Sequence, residues 1–556
     1  MKKIFKYILR EEVLVILMVF LIVGLSFLTT FYEIFSFREL PEERVAVLEH
    51  NWTYDFNVYI SKMTQGERGS WLVYNKYTSE PHGGSLLHIF YLLLGKIGLL
   101  FGLTMPATYL VARVILSFII FYILYYLLCQ LLKDKGLRLL AFFLSLFATQ
   151  LPKFTPFSGK QGFDIGFWVP WWTGGDHLQE VSFLPHYMLG HILTLLMFLL
   201  FWRAGKGLMG WMKAGLWAGV LGMVAGIVHP PSLVVLYPAI IFWILWNLLR
   251  GKFSKDFLKS FLVFVGLSFS SLVYVFWATS RFPWKSLSTE VEFLGKISFL
   301  ELAMTTGGVF FLGIAGLIVA LWKKKEELYI FVFWIVSVIF LGFVVSRLGL
   351  YAQLRAFQTF HRIAFSVLSA YFLAFLVRSF KKFGLGLAGQ MLAVLMVAIL
   401  VIFSAVSMKR SIKGWIGFID SRIHAGVPLV PAPPTIMYPL RDFMKGISFL
   451  AGNTEPWEVV LAGFTAGNYI PAYSGNTVYF GHNETVDYEN KKALVKSFFG
   501  KKMSREEGEN FLRENRIKYV FFGPQEKDLA KGEFYNWPIF EKRFESGYVE
   551  IYGVRI

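Results

Sequence analysis

The stretch LLHIFYLLLGKIGLLFGL, residues 86–103, decides the topology of the whole chain. It is apolar and close to the ~20 residues that cross a bilayer core. If it spans, the basic clusters Lys133–Arg138, Arg203–Lys206, Arg250–Lys259, Lys323–Lys325 and Arg378–Lys382 fall outside the membrane. If it lies along the outer interface, all five fall inside, as the positive-inside bias requires, and Lys96 in mid-segment suits an interfacial helix. The second placement is the one expected. It leaves about eleven spans, near 12–31, 106–132, 137–151, 186–203, 212–229, 231–250, 258–280, 304–322, 328–346, 362–378 and 386–407.

Composition agrees with a protein built for lipid. The 556 residues are 56% hydrophobic and 18% aromatic, with only 17% charged and a mean hydropathy of +0.54; soluble domains carry roughly 25% charged residues. The net charge of +18 sits largely between apolar segments, which argues against a nucleic-acid-binding face. Cys129 is the only cysteine, so no intrachain disulfide or cysteine-based metal site exists. Lys2, Lys3, Lys6 and Arg10 place the N-terminus in the cytoplasm, and the long apolar run LVILMVFLIVGLSFLTTFYEIF reads as a retained first helix rather than a cleaved leader. The expected class is a polytopic α-helical membrane protein, multi-pass in the cell membrane, with a transmembrane domain over 1–407 and a small extracytoplasmic α/β domain over 408–556. The second begins after the proline-rich GVPLVPAPPTIMYP. EVVLAGF (458–464), NTVYFG (476–481), IKYVFFG (517–523) and GYVEIYGVRI (547–556) are strand-like, and Ser504 with Glu507 opens a helix as a capping box.

This topology gathers the polar residues on one side of the membrane. The first external segment, 32–105, contains Glu49, His50, Asp55, Glu80 and His82. An aspartate such as Asp55 near a membrane surface serves as a helix cap or an ion-pair partner when it is structural. Beside other acids and histidines it offers a general base. His82 follows Pro81 in a turn and is either a turn residue or a ligand group. The second external segment, 152–185, holds Asp164, Asp176, His177 and Glu180, groups that could bind acceptor hydroxyls or a divalent cation, although no spacing matches a specific metal motif. Trp168, Trp171 and Trp172 are either interfacial belt residues or a groove for a lipid tail or sugar ring. Arg347, Arg355, His361 and Arg362 lie on the outer side, where few arginines are expected; ion pairing and phosphate recognition both explain them. His229 before Pro230-Pro231 is a further outward candidate.

The order of these features resembles the GT-C superfamily of membrane glycosyltransferases, in the manner of protein mannosyltransferases, RgtA-like enzymes and oligosaccharyltransferase subunits. The resemblance rests on YDFNVYISKMTQGERGSWLVYNKYTSEPHGGSLLHIFYLLLGKIGLLFGLTMPATYLVAR, on the late Arg/His segment, and on the C-terminal VVLAGFTAGNYIPAYSGNTVYFGH. It implies a GT-C-like fold and transfer of a sugar, with inversion, from a polyprenyl-phosphate-linked donor to an extracytoplasmic acceptor, with membrane lipids as further partners. Asp55 would be the catalytic base or acceptor-orienting group. Glu80, His82, Asp164, Asp176, His229, Arg347, Arg355, His361 and Arg362 would bind substrate, the arginines facing the phosphate. The paired acids usual in that family's first loop are not adjacent here, because Phe56 follows Asp55 and Glu49 lies six positions earlier. A divalent cation, magnesium or manganese, is the one cofactor the resemblance leaves room for. Asp55 and the arginines of 347–362 are expected to serve one cavity on the non-cytoplasmic face. A transporter or lipid-linked glycan flippase, and a non-catalytic glycan- or lipid-binding protein of the same architecture, are the alternative classes. The absence of a convincing internal repeat disfavours the carrier.

Overall fold

The computed structural model describes residues 11–49, 53–156, 163–169, 175–289, 295–423 and 438–555. Lys2, Lys3, Lys6, Arg10, His50, Trp171, Trp172 and most of the proline-rich connector lie outside the described residues. The chain forms two compact units. One comprises Met1–Thr29, Arg113–Tyr274 and Glu290–Trp415; the other comprises Thr30–Ala112, Val275–Thr289 and Ile416–Ile556. The division does not follow the chain boundary at 407/408, since the first external segment groups with the C-terminal domain.

The long helices are α1 (Glu11–Ser36), α4 (Met105–Leu131), α7 (Pro185–Gly205), α8 (Trp211–Val228), α9 (Pro230–Leu249), α10 (Lys255–Thr279), α13 (Tyr329–Phe343), α15 (Arg362–Lys382) and α16 (Gly386–Ile423). Shorter elements intervene: α2 (Thr53–Glu67), α3 (Ile89–Leu100), α5 (Lys135–Phe147), the hairpin β1 (Lys153–Pro156) and β2 (Phe163–Gly166), α6 (His177–Val181), α11 (Phe299–Thr306), α12 (Gly308–Trp322) and α14 (Gln353–Phe357). Among the described residues nine helical segments are long and apolar enough to cross a membrane, or ten when α11 and α12, bent by 101°, count as one broken span. The protein is a multi-pass membrane protein.

Two expectations about spans meet different outcomes. The 86–103 segment forms α3, whose 12 residues reach about 18 Å and fall short of a ~30 Å hydrocarbon core. The expected span at 137–151 is corrected. It is α5, 13 residues and about 20 Å long. Its apolar residues Ala141, Phe142, Leu144 and Leu146 are buried in the protein, and the helix packs on α15. A helix that is apolar because protein covers it reads in sequence like one covered by lipid.

Within the first unit, α7 packs on α8, α9 on α13, and α12 on α15. The bend between α11 and α12 falls at Gly307, with φ +89°. A Cβ there would lie 2.0 Å from the Thr149 carbonyl oxygen. Both the left-handed conformation and the close approach call for glycine. Basic groups from three helix ends meet at Glu326: Lys206 at 3.0 Å, Lys252 at 2.6 Å and Arg250 at 3.8 Å. Arg378 faces Asp134 at 3.5 Å. Clusters expected on one side of the membrane are thus neighbours in the fold.

The second unit is built on a five-stranded mixed sheet. After α17 (Arg441–Asn453) come β3 (Val459–Leu461), α18 (Phe464–Tyr473), β4 (Thr477–Val478), α19 (Tyr488–Phe499), α20 (Arg505–Glu514), β5 (Ile517–Phe522), α21 (Pro524–Ala530), β6 (Phe540–Ser546) and β7 (Val549–Val554). The strand order is β4-β3-β5-β7-β6, parallel from β4 to β5 and antiparallel thereafter. The four expected strands are present, as is the Ser504–Glu507 capping box. Strand alternation sends Val460 and Phe521 to one face, against Phe443, Ile447 and Leu450 of α17 and Ala466, Tyr469 and Ile470 of α18. Val459, Leu461, Val520 and Phe522 go to the other, against Val495, Phe498 and Phe499 of α19 and Phe511 and Leu512 of α20.

The first face also takes Val58 and Tyr77 from the segment read as an external loop. That segment is the helix α2 with its following turns, packed on both α18 and α3. Gly66 and Gly95 bring α2 and α3 together so closely that a Cβ on either would lie 1.9 Å from a carbonyl oxygen of the other helix. Beside the apolar Phe56, Val58, Ile60 and Met63, α2 buries Asn57, Ser61, Lys62, Thr64 and Gln65. Asn57 donates to Asn468 at 2.9 Å, Asn468 donates to the Tyr54 carbonyl at 3.1 Å, and Thr64 donates to the Ala472 carbonyl at 2.6 Å.

Candidate active site

Asp55 stands in the first turn of α2 with its side chain 55% exposed. It is an accessible carboxylate on a helix that encloses Asn57, Ser61, Lys62, Thr64 and Gln65. The Nε2–H of His482 faces its Oδ1 at 3.3 Å. The other ring nitrogen, Nδ1, accepts the Glu484 N–H at 3.0 Å, which fixes the tautomer and leaves the ring proton on the side of Asp55. Tyr54 lies against the imidazole at 4.0 Å between ring centroids and Tyr77 at 5.4 Å. The Tyr54 hydroxyl in turn accepts the Asn483 N–H at 2.6 Å.

Beneath this pair is a buried ion pair. Lys62, fully enclosed, donates to Glu484 at 2.7 Å. Burial opposes the charge on Glu484, but Lys62, assisted by His482 and His88, overcomes it and holds the carboxyl at about 2. The Lys62 ammonium also faces the rings of Tyr77 at 5.6 Å and Trp284 at 6.0 Å. Asn75 donates to the Glu484 carbonyl at 2.8 Å, which ties the same turn to the segment after α2.

The other first-segment acids and histidines have structural partners. Glu80 is paired with Lys491 of α19 at 2.6 Å and accepts from the Thr78 hydroxyl. Burial alone would raise its carboxyl; those two contacts hold it below the usual value. His82 accepts the Asn75 N–H at 3.0 Å through Nε2 and donates to the Glu80 carbonyl at 2.8 Å through Nδ1. It is a turn histidine, and burial keeps its pKa below the ordinary imidazole value. Glu49 is buried with the Thr53 hydroxyl at 2.6 Å and the Tyr469 hydroxyl on its carboxylate, and burial pushes that carboxyl well up.

In the first unit the structure gathers a separate set of groups on the segment 353–362. Arg362 is buried and donates to Glu180 at 2.6 Å, to His177 Nδ1 at 3.0 Å and to the Thr305 carbonyl at 3.2 Å. Burial works against the charge of Glu180, and Arg362 and His177 restore it, holding that carboxyl below its ordinary value. Arg355 donates to Gln358 at 3.0 Å and to the Tyr187 hydroxyl. His191 donates to the Gln358 carbonyl at 3.0 Å. Tyr187, His191 and His186 surround His229, with ring centroids at 4.3, 5.6 and 6.1 Å. His361 is held between the Phe357 carbonyl at 3.0 Å and Thr306 at 3.3 Å. Arg347 is exposed on the turn Val345–Leu348. Asp176 caps α6 through the Leu178 N–H at 3.0 Å and accepts from Ser411; Asp164 is exposed on β2 and accepts its neighbour's N–H. His229 opens α9 rather than a free turn, because Pro230 and Pro231 occupy the first helical positions.

A divalent cation needs several oxygen or imidazole donors converging on one point. Among the described residues no three His, Cys, Asp or Glu side chains do so. Asp55 meets one histidine, whose free electron pair is already committed to a backbone N–H, so this donor set does not fit a cation.

The sequence singled out Asp55, Arg355 and Arg362, but not their neighbours in these clusters, Lys62, His482, Glu484 and His191. Each of these acts through a partner remote in sequence.

The fold is GT-C-like and is that of a polytopic membrane protein. Over 90% of its length the chain is similar to the archaeal oligosaccharyltransferase AglB from Archaeoglobus fulgidus, covering 69% of that chain with a TM-score of 0.51 and 12% identity. Over 95% of its length it is similar to the arabinofuranosyltransferase AftD from Mycobacteria, covering 41% of that chain with a TM-score of 0.51 and 14% identity. ArnT from Cupriavidus metallidurans covers 96% of this chain and is itself covered over 97%, with a TM-score of 0.49 and 12% identity. No protein-family model and no curated protein matches the sequence. At such identities the likeness is one of fold.

Proposed function

We propose that the protein is a membrane glycosyltransferase that moves a sugar from a polyprenyl-phosphate-linked donor to an extracytoplasmic glycan, lipid or protein acceptor, with the N-terminus cytoplasmic and the C-terminal domain extracytoplasmic. The observation that carries this is the accessible Asp55 carboxylate, held by His482 on a buried polar scaffold, in a chain of GT-C-like fold. The AglB structure contains a peptide and a dolichol-phosphate, which supports a lipid-phosphate partner and an acceptor in the same kind of fold.

Asp55 accepts the proton of an acceptor hydroxyl as that oxygen forms its bond to the anomeric carbon. The bond from that carbon to the phosphate oxygen breaks, and the lipid phosphate leaves with the electron pair. Attack opposite the leaving group inverts the anomeric centre. Arg347, exposed, and Arg355, beside Tyr187 and Gln358, are the cations assigned to the phosphate. Arg362, enclosed by Glu180, His177 and the Thr305 carbonyl, anchors the end of the segment 353–362 that carries Arg355.

The test uses full-length protein in nanodiscs, undecaprenyl phosphate carrying radiolabelled mannose, glucose, galactose or arabinose, and a membrane extract as acceptor source. The wild type transfers label from at least one donor. Asp55→Asn lowers the rate by roughly 100-fold or more, the scale of a general base. Transfer undiminished in the variant rejects the base assignment; movement of donor across the bilayer without transfer identifies a carrier instead.

A further inference from the structure

We infer that His482, supplied by the C-terminal domain, is the positioning residue of Asp55, fixing which carboxylate oxygen meets the acceptor. This inference rests on the assignment of Asp55 as the acceptor's base and adds to it a second group from 427 residues further along the chain.

The imidazole has one orientation open to it. Its Nδ1 accepts from the Glu484 N–H, so in the neutral ring the proton is on Nε2 and is directed at Asp55 Oδ1. The ring plane is set by Tyr54 and Tyr77. The turn bearing it, residues 481–485, is fixed from several directions. Thr485 Oγ1 accepts the Gly481 N–H at 3.3 Å, Tyr54 accepts the Asn483 N–H, Asn75 donates to the Glu484 carbonyl, and Lys62 holds the Glu484 carboxylate. A donor held this firmly orients the carboxylate it faces, as outer groups orient the catalytic group they touch. The 3.3 Å separation is that of a resting contact, of the kind that shortens when substrate arrives.

Two consequences follow from the tautomer. His482 donates through Nε2 to Oδ1 and lowers that oxygen's basicity, which makes Oδ2 the oxygen that takes the acceptor's proton. Because Nδ1 is already an acceptor, the histidine does not relay that proton onward; it stays on Asp55 until product leaves. The titratable groups around the ring are Asp55, Tyr54 and Lys62 from α2, Tyr77 from the following segment, and Glu484 on its own turn; His88 contributes charge to the same group through Glu484.

Full-length protein in nanodiscs with the undecaprenyl-phosphate sugars above gives the test. His482→Phe retains a ring between the tyrosines and removes both nitrogens. His482→Gln retains an N–H donor. The phenylalanine variant is expected to lower kcat about 10- to 100-fold with the donor KM within about twofold. The glutamine variant recovers kcat to within about fivefold of wild type. An unchanged kcat in His482→Phe, with Asp55→Asn inactive, overturns the inference and leaves the base in place. Full transfer by Asp55→Asn, or no transfer by the wild type from any of the four donors, removes the enzyme assignment and this inference with it. A measurement independent of turnover is the ¹⁵N-histidine spectrum of the wild type, with the His482 signal identified by its loss in His482→Gln. The Nε2–H tautomer supports the inference. The Nδ1–H tautomer overturns it.

Discussion

Lys62 and Arg362 are enclosed cations, one in each unit, that anchor local structure. Each is paired with a glutamate, Glu484 at 2.7 Å and Glu180 at 2.6 Å. In sequence Lys62 is one lysine among many, and its partner is 422 residues away, so neither composition nor spacing marks it. Asp55 was legible because it stands with other acids and histidines on one outward segment, whereas the histidine that faces it, 427 residues further on, was not. The pair makes a specific prediction. Removing one member of a buried pair leaves a naked charge and costs about 3–5 kcal/mol, whereas replacing both is far milder. Lys62→Met should therefore sharply lower the unfolding temperature, and Lys62→Met with Glu484→Gln should recover most of it, as read by differential scanning fluorimetry. The pair also sets an acid limit. With Glu484 held at about 2 against 4.5 unfolded, its contribution is complete above pH 4.5 and is lost as pH falls through about 2. The double variant should lack that part of the acid loss.

At the scale of elements, periodicity and turn chemistry worked where the solvent was simple. Strand alternation in IKYVFFG and the Ser504–Glu507 box identified β5 and α20, and the 12-residue α3 agrees with the interfacial placement of 86–103. The span misread at 137–151 shows the limit: α5 is apolar because α15 covers it. The helix α2 failed in the opposite sense. Its buried Asn57, Thr64 and Gln65 looked like loop residues because their partners are backbone and side-chain polar groups remote from the helix's own pattern. The break between α11 and α12 was equally hidden, since MTTGGVFF carries only a glycine pair as a signal. Gly307→Ala should be costly on two counts, the left-handed backbone and the 2.0 Å approach to the Thr149 carbonyl. Expected is a loss of at least about 2 kcal/mol, seen as a lower unfolding temperature in detergent. The neighbouring Gly308→Ala, whose Cβ would meet only the flexible end of Leu400, should be milder. Equal effects at the two positions would deny the backbone constraint.

At the scale of the molecule, the orientation in the membrane rests on where the basic residues collect. Lys206, Lys252 and Arg250 meet at Glu326, and Arg378 meets Asp134, so helix ends assigned to one side by charge alone are also neighbours in space. In the topology proposed above, the positive-inside bias puts that end in the cytoplasm, and Arg347, exposed at the opposite end of α13 from Glu326, and the C-terminal domain are assigned to the outside. In a background freed of its one thiol by Cys129→Ser, Lys252→Cys and Arg378→Cys should react with a membrane-impermeant maleimide only in inverted vesicles. Arg347→Cys and Lys501→Cys should react in intact cells. Labelling of Lys252→Cys from outside would invert the topology, place Arg347 in the cytoplasm, and remove the lipid-phosphate role assigned to it on the outer face. Labelling of Lys501→Cys only in inverted vesicles would separate the C-terminal domain from that face. His482 and Asp55 would then remain a pair, but on a protein whose acceptor is cytoplasmic.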